Sequence, residues 1–173
     1  MLANLAVTLL GKVAVNLNYT SSVDAFRSAV EQCGIRHVLT SRVFLEKLGK
    51  LPVPEGAIYL EDVLKSIGPA EKRRAWLKAR FMPCRLLAGK RHFNADEVVT
   101  IIFSSGSTGD PKGVMLSHHN ILSNIEALRM VFCLSPRDCV CGVLPFFHSF
   151  GYTTTLWETI RRKYAEPMTA SSR

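Results

Sequence analysis

The chain has 173 residues, 47% of them hydrophobic, and its 22 Lys and Arg against 14 acidic residues give a formal charge of +8. That apolar content excludes a chain that is disordered throughout, and the length fits one domain with at most a small appendage. The basic clusters, Lys72 to Arg74, Lys78 to Arg80, Arg85 to Arg91 and Arg161 to Lys163, lack the interleaved aromatics of a single-strand binding surface. Nucleic acid is therefore not an expected partner. Solvated faces are expected instead, or docking of an acidic protein or a phosphate-bearing cosubstrate.

The opening MLANLAVTLLGKVAVNL is interrupted by Lys12 and is too short to span a bilayer. It also lacks the basic front and cleavage site of a secretory signal. Leu2, Leu5, Leu9 and Leu10 have helical spacing but no capping lead-in, so the expectation is a piece that starts inside a larger pattern. Ser22 caps a predicted helix with Ala25, Phe26, Ala29, Val30 and Cys33 inward and Gly34 as its stop. Arg36 to Leu39 reads as a short strand, and Ser41 opens a second helix through Phe44, Leu45 and Leu48. After a loop at Pro52 and Pro54, Ala57 to Leu60 reads as a strand, Pro69 to Arg80 as a charged helix, and Pro83 to Asn94 as a basic loop.

Val98 to Phe103 is a continuous β-rich apolar run, the pattern of a strand buried on both faces. The chain extends again at Val114 to Leu116. Ser117 or His118 then opens a helix with Ile121, Leu122, Ile125, Leu128 and Val131 inward. Cys139 to Leu144 is predicted as a further strand, ended by Pro145. The alternation predicts an α/β fold, a mostly parallel sheet flanked by helices. The five cysteines, Cys33, Cys84, Cys133, Cys139 and Cys141, form no CxxC pair, so a reduced, cytosolic setting is expected over zinc or a disulfide framework.

The chemistry concentrates in FSSGSTGDPKGVMLSHHN, 103–120. Gly106, Gly109 and Gly113 permit tight turns that aim successive amide N–H groups into one hollow. Ser104, Ser105, Ser107 and Thr108 add hydroxyl donors, Pro111 stiffens the exit, and Lys112 brings a point charge on a flexible stem. Amides, hydroxyls and one ammonium make a cradle for a polyphosphate. The pattern is neither GxxxxGK[ST] nor GxGxxG.

These residues resemble the phosphate loop of the adenylate-forming acyl-ligases, the family of acyl-CoA synthetases, luciferases and aryl-CoA ligases. Phe103 to Gly113 follows that loop at every position, and LPFFHSFG, 144–151, resembles the family's next motif. The likeness implies part of an AMP-binding N-terminal domain over 1–157, with 158–173 as a divergent or truncated tail. It implies that Ser104, Ser105, Gly106, Ser107, Thr108, Gly109 and Lys112 bind the β- and γ-phosphates of ATP. His148 would sit near the carboxylate, orienting it or gating its pocket, with catalytic consequence, while His118 and Asn120 are helix-start groups. LLGKVAVNLNYT, IYLEDV and LPFFHSFGYTTTLW are most similar to the acyl-[acyl-carrier-protein] synthetase half of bifunctional 2-acylglycerophosphoethanolamine acyltransferases. That implies a fatty acid as substrate and acyl carrier protein or CoA as thiol acceptor. The setting would be cytoplasmic, at the inner membrane face where a fused or neighbouring acyltransferase holds it there.

Against the family pattern, the sequence carries no adenine-binding glutamate motif, ribose-binding aspartate or C-terminal-domain lysine, nor the glutamate that holds Mg²⁺. The resemblance therefore implies ATP with a Mg²⁺ whose protein ligand lies elsewhere, and no turnover by this chain alone. A non-catalytic ATP-binding module and a basic protein-interaction module are the alternatives. Fatty-acid-driven pyrophosphate exchange, ATP protection without exchange, and salt-sensitive binding indifferent to ATP separate the three.

Overall fold

A computed structural model describes residues 1–49, 53–83, 86, 94–104, 111–133 and 138–164. The chain divides into two compact units, one of Met1–Asn18 with Asn94 onward, the other of Tyr19–Phe93.

In the first unit a three-stranded sheet runs in the order β1 (Ala14–Val15), β4 (Val98–Ser104), β5 (Lys112–Ser117). β1 lies parallel to β4 and β5 antiparallel to it. The central position of β4 explains its β-branched run. Val99 and Thr100 point to opposite faces, yet both are buried, and the Thr100 hydroxyl donates to the Ala14 carbonyl at 2.6 Å.

Helix α6 (His118–Phe132) follows β5 directly. At its start the Ser117 hydroxyl accepts from the Asn120 N–H at 3.2 Å, and the Asn120 side chain accepts from the Ser117 N–H at 3.0 Å. This reciprocal pair satisfies two otherwise orphaned donors; of the two expected helix-start groups Asn120 joins the cap, but its partner is Ser117, while the His118 N–H donates to the Glu97 carbonyl at 3.3 Å. A π-helical segment, Gly151–Glu158, then runs into α7 (Thr159–Tyr164). Helical winding thus continues past Trp157, and Arg161 of α7 pairs with Glu126 of α6. Val99, Ile102, Ile121, Ile125, Tyr152 and Leu156 form the core, with Leu5 of α1 (Leu2–Leu9) packed against it.

Three expectations in this unit fail. No strand forms over Cys139–Leu144, where Val143 is 77% exposed. A strand needs a neighbour to pair with, and the described residues supply none there. In α6, Ile121 and Ile125 face the core as predicted, but Leu122 and Val131 are exposed. In α1 the inward residues are Leu5 and Thr8, while Leu2, Leu9 and Leu10 face out.

The second unit holds α2 (Val23–Gln32), capped by the Ser22 hydroxyl on the Ala25 N–H at 3.2 Å and ended at Gly34, whose φ of +54° suits glycine. β2 (Leu39–Thr40) and β3 (Ile58–Tyr59) pair in parallel; β3 is shorter than its sequence pattern, and β2 shares only Leu39 with the expected strand. Residue 60 opens an unforeseen helix, α4 (Leu60–Ser66). Its Glu61 accepts from the Ser41 hydroxyl at 2.6 Å and from the Arg42 N–H at 3.0 Å. The start of α3 (Arg42–Leu48) is therefore capped from α4, with Ser41 acting as donor to the cap. Arg42 adds a paired contact to Asp62 at 2.8 and 2.5 Å and lies over the Tyr59 ring. The charged helix is α5 (Pro69–Phe81). Most of the predicted basic loop after it lies outside the described residues.

Candidate phosphate-binding hairpin

The Gly/Ser/Thr segment is strung between β4 and β5, and the antiparallel register places Ser104 opposite Lys112 and Phe103 opposite Gly113. Both ends of the segment are thus pinned side by side. The Ser104 hydroxyl donates to the Lys112 carbonyl at 3.4 Å, a long contact, and both side chains are exposed. Gly113 does not serve the turn expected of it: it lies in β5 without a positive φ, and its reason is packing. A Cβ there would press to 3.0 Å on Ile101 and 3.3 Å on the Phe103 ring. Ser105, Gly106, Ser107, Thr108 and Gly109 lie outside the described residues.

Downstream, residues 145–148 form a turn in which the His148 N–H donates to the Pro145 carbonyl at 3.1 Å, and the His148 carbonyl accepts from Tyr152 at 2.9 Å. His148 therefore stands at the head of the helical stretch, exposed, its ring 4.5 Å from that of Phe147. Gly151 is fixed by contact with that turn, since a Cβ there would sit 2.5 Å from the Pro145 carbonyl oxygen. No hydrogen bond or ion pair joins His148 to Ser104 or Lys112 among the described residues. Their elements share one core, to which Ile102 and Tyr152 both belong.

Sequence reasoning missed the polar groups beneath. The Tyr152, Thr8 and Trp157 side chains each bury a polar atom without a hydrogen bond of ordinary geometry. Burial pushes the Tyr152 hydroxyl above its ordinary pKa range, against opposing pulls from Trp157, Thr100 and Thr8. The position of Tyr152 directly after the LPFFHSFG motif was the available signal.

The residues that bracket the hairpin offer a hydroxyl and an ammonium. They suit an anionic polyphosphate and do not fit a divalent cation, which needs oxygen acceptors. Among the described residues no cluster of His, Cys, Asp or Glu could hold a metal.

The family model described as AMP-binding enzyme matches residues 1–162. The chain belongs to that family. Among AMP-binding enzymes it is 42% identical over 72 residues to Long-chain-fatty-acid–CoA ligase 5 of Rattus norvegicus, covering 36% of this chain and 10% of that one. It is 28% identical over 160 residues to the acyl-CoA ligase sidI of Aspergillus fumigatus, covering 84% of this chain and 27% of the relative. Its fold matches the o-succinylbenzoate CoA synthetase of Bacillus subtilis in complex with an acyl-adenylate, with a TM-score of 0.67 at 22% identity, over 93% of this chain and 37% of that one. At such identity the match establishes the fold of an adenylate-forming enzyme, in part. That synthetase has also been solved with ATP and magnesium ion. The chain therefore spans well under half the length of the relatives it matches.

Proposed function

We propose that this chain is the phosphate-gripping part of an ATP-dependent acyl ligase, with 1–157 belonging to its N-terminal adenylation domain. In the whole enzyme a fatty-acid carboxylate attacks the α-phosphorus of ATP and pyrophosphate leaves; a phosphopantetheine thiol of acyl carrier protein or CoA then attacks the acyl carbon of the acyl-adenylate, forming the thioester and releasing AMP. Ser104, Ser105, Gly106, Ser107, Thr108, Gly109 and Lys112 hold the β- and γ-phosphates, and His148 orients the carboxylate. The location is cytoplasmic.

One observation carries this reading. The two described donors of the segment, Ser104 and Lys112, are registered opposite each other at its two ends and project into solvent. Charge-assisted donors so placed are what a polyphosphate requires. Grip alone does not align a carboxylate with the α-phosphorus, and alignment supplies much of the rate. The chain by itself therefore binds ATP without turnover, and it catalyses no fatty-acid-dependent pyrophosphate exchange.

Calorimetric titration of the full chain with ATP, AMP and tripolyphosphate tests the grip. ATP and tripolyphosphate bind and AMP binds far more weakly. A charge-assisted contact contributes about 1.5–3 kcal/mol, so Lys112→Ala weakens ATP roughly ten- to a hundredfold. Equal binding of AMP and ATP, or an unchanged Lys112→Ala, overturns the proposal.

A further inference from the structure

We propose that α5 is a docking surface for an anionic lipid bilayer. Within Pro69–Phe81 five basic residues, Lys72, Arg73, Arg74, Lys78 and Arg80, stand against one acid, Glu71, and no residue of the helix is buried. Expectation of a solvated face accounts for those charges. It leaves Trp76, Leu77 and Phe81 without an account, at 62%, 44% and 71% exposed.

The helix rests on local signals. Pro69 occupies its first turn, Glu71 accepts from the Gly68 N–H at 3.0 Å, and Ala, Lys, Arg and Leu fill its interior. It needs no buried face to define it, which leaves its surface available for a partner.

At 3.6 residues per turn, Leu77 and Phe81 stack one turn apart. Arg74 and Lys78 flank that narrow stripe on one side, Arg73 and Arg80 on the other. Trp76 lies between Lys72 and Arg80 around the helix, and the Arg80 guanidinium sits 5.6 Å from the Phe81 ring centre. Long basic stems beside an apolar stripe let the stripe enter the acyl boundary while the cationic heads stay among the phosphates. Trp favours the same headgroup layer. An acidic protein would answer the charges, whereas basic stems flanking an exposed Leu77 and Phe81 stripe, with Trp76 at the level of the cationic heads, answer both the phosphates and the acyl boundary. The observations thus favour the bilayer. No described helix is long and apolar enough to cross a membrane, so the contact is peripheral.

The test uses the full 173-residue chain with vesicles of phosphatidylcholine, alone or mixed with phosphatidylglycerol, followed by sedimentation and tryptophan emission. The chain has two tryptophans, and the second, Trp157, belongs to the packed core. The emission blue shift on binding is therefore assigned to Trp76 by its loss in Trp76→Phe. Partition onto the mixed vesicles and not onto phosphatidylcholine is expected, weakening with added salt. The triple variant Arg73→Glu, Arg74→Glu, Lys78→Glu lowers partition at least about tenfold, and Leu77→Ser with Phe81→Ser lowers it while keeping the salt dependence. Because no residue of α5 is fully buried, both variants should keep the parent circular dichroism, and a partition loss is read only where it does. Equal partition of parent and triple variant, equal binding to both vesicle types, or a Trp76 response to poly-glutamate but not to vesicles overturns the proposal. The last outcome assigns the helix to an acidic protein.

Discussion

Replacing Gly151 by Ala probes the turn that presents His148. The added Cβ would lie 2.5 Å from the Pro145 carbonyl oxygen, 2.9 Å from the Leu144 carbonyl oxygen and 2.9 Å from the Leu144 Cβ. Two of these neighbours are backbone, so no side-chain rotation relieves them. The turn can move only by loosening the His148 N–H to Pro145 bond and the Tyr152 N–H to His148 bond. At about 1 kcal/mol net for each bond, plus residual crowding, the cost is roughly 2–3 kcal/mol, in the range of core overpacking. Gly142→Ala is the control, because its Cβ would meet a side-chain methyl of Thr155 at 2.8 Å. That methyl can shift, for less than about 1 kcal/mol. Urea unfolding followed by tryptophan emission reads both, since Trp157 packs 6.2 Å from the Tyr152 ring. The expected result is a lower midpoint at unchanged slope for Gly151→Ala and a small change for Gly142→Ala. A Gly151→Ala variant within about 0.5 kcal/mol of the parent would refute the close-contact reasoning.

Tyr152→Phe removes a buried hydroxyl whose poorly aligned contacts with Trp157, Thr100 and Thr8 offset its burial only in part, and should change stability by less than about 1 kcal/mol. Thr100→Val breaks the bond to the Ala14 carbonyl and should cost about 1 kcal/mol in the same urea assay. In the second unit Glu61 is held below its usual carboxylate range first by the Ser41 hydroxyl, and Asp62 by the Arg42 guanidinium. Depressed carboxylates stabilise the fold above their ordinary pKa near about 4 and lose that contribution as pH falls through the folded values. Circular dichroism across acid pH should show this loss in the parent and a flatter profile in Glu61→Gln with Asp62→Asn.

Where sequence and structure agree, the signal is local. Val98 to Phe103 is readable because a strand covered on both faces has no need of alternation, and α6 starts where Ser117 and Asn120 exchange hydrogen bonds. Pro69 and Glu71 mark the start of α5 in the same way. Where they part, the deciding partner is remote in sequence. The Cys139–Leu144 run has strand chemistry, but a strand is made by its neighbour. Leu122 and Val131 have helical spacing, but the direction of the core is set by β4 and the π-helical segment. Helix α4 was hidden because Ile58 to Leu60 reads as extended, while Glu61 is drawn into capping α3. At the candidate site residue type names only candidate donors, and that Ser104 and Lys112 face each other comes from the pairing of β4 with β5. The role of Gly151 was not legible, because it depends on how closely the 145–148 turn approaches that helix.

Hydrogen exchange at the amides of Ser105 to Gly109, measured with saturating ATP and again with AMP, addresses the phosphate grip most directly. Amides that point at terminal phosphates should exchange markedly more slowly with ATP than with AMP, and that difference should shrink in Lys112→Ala. Exchange that is indifferent to ATP, or slowed equally by AMP, would contradict the account.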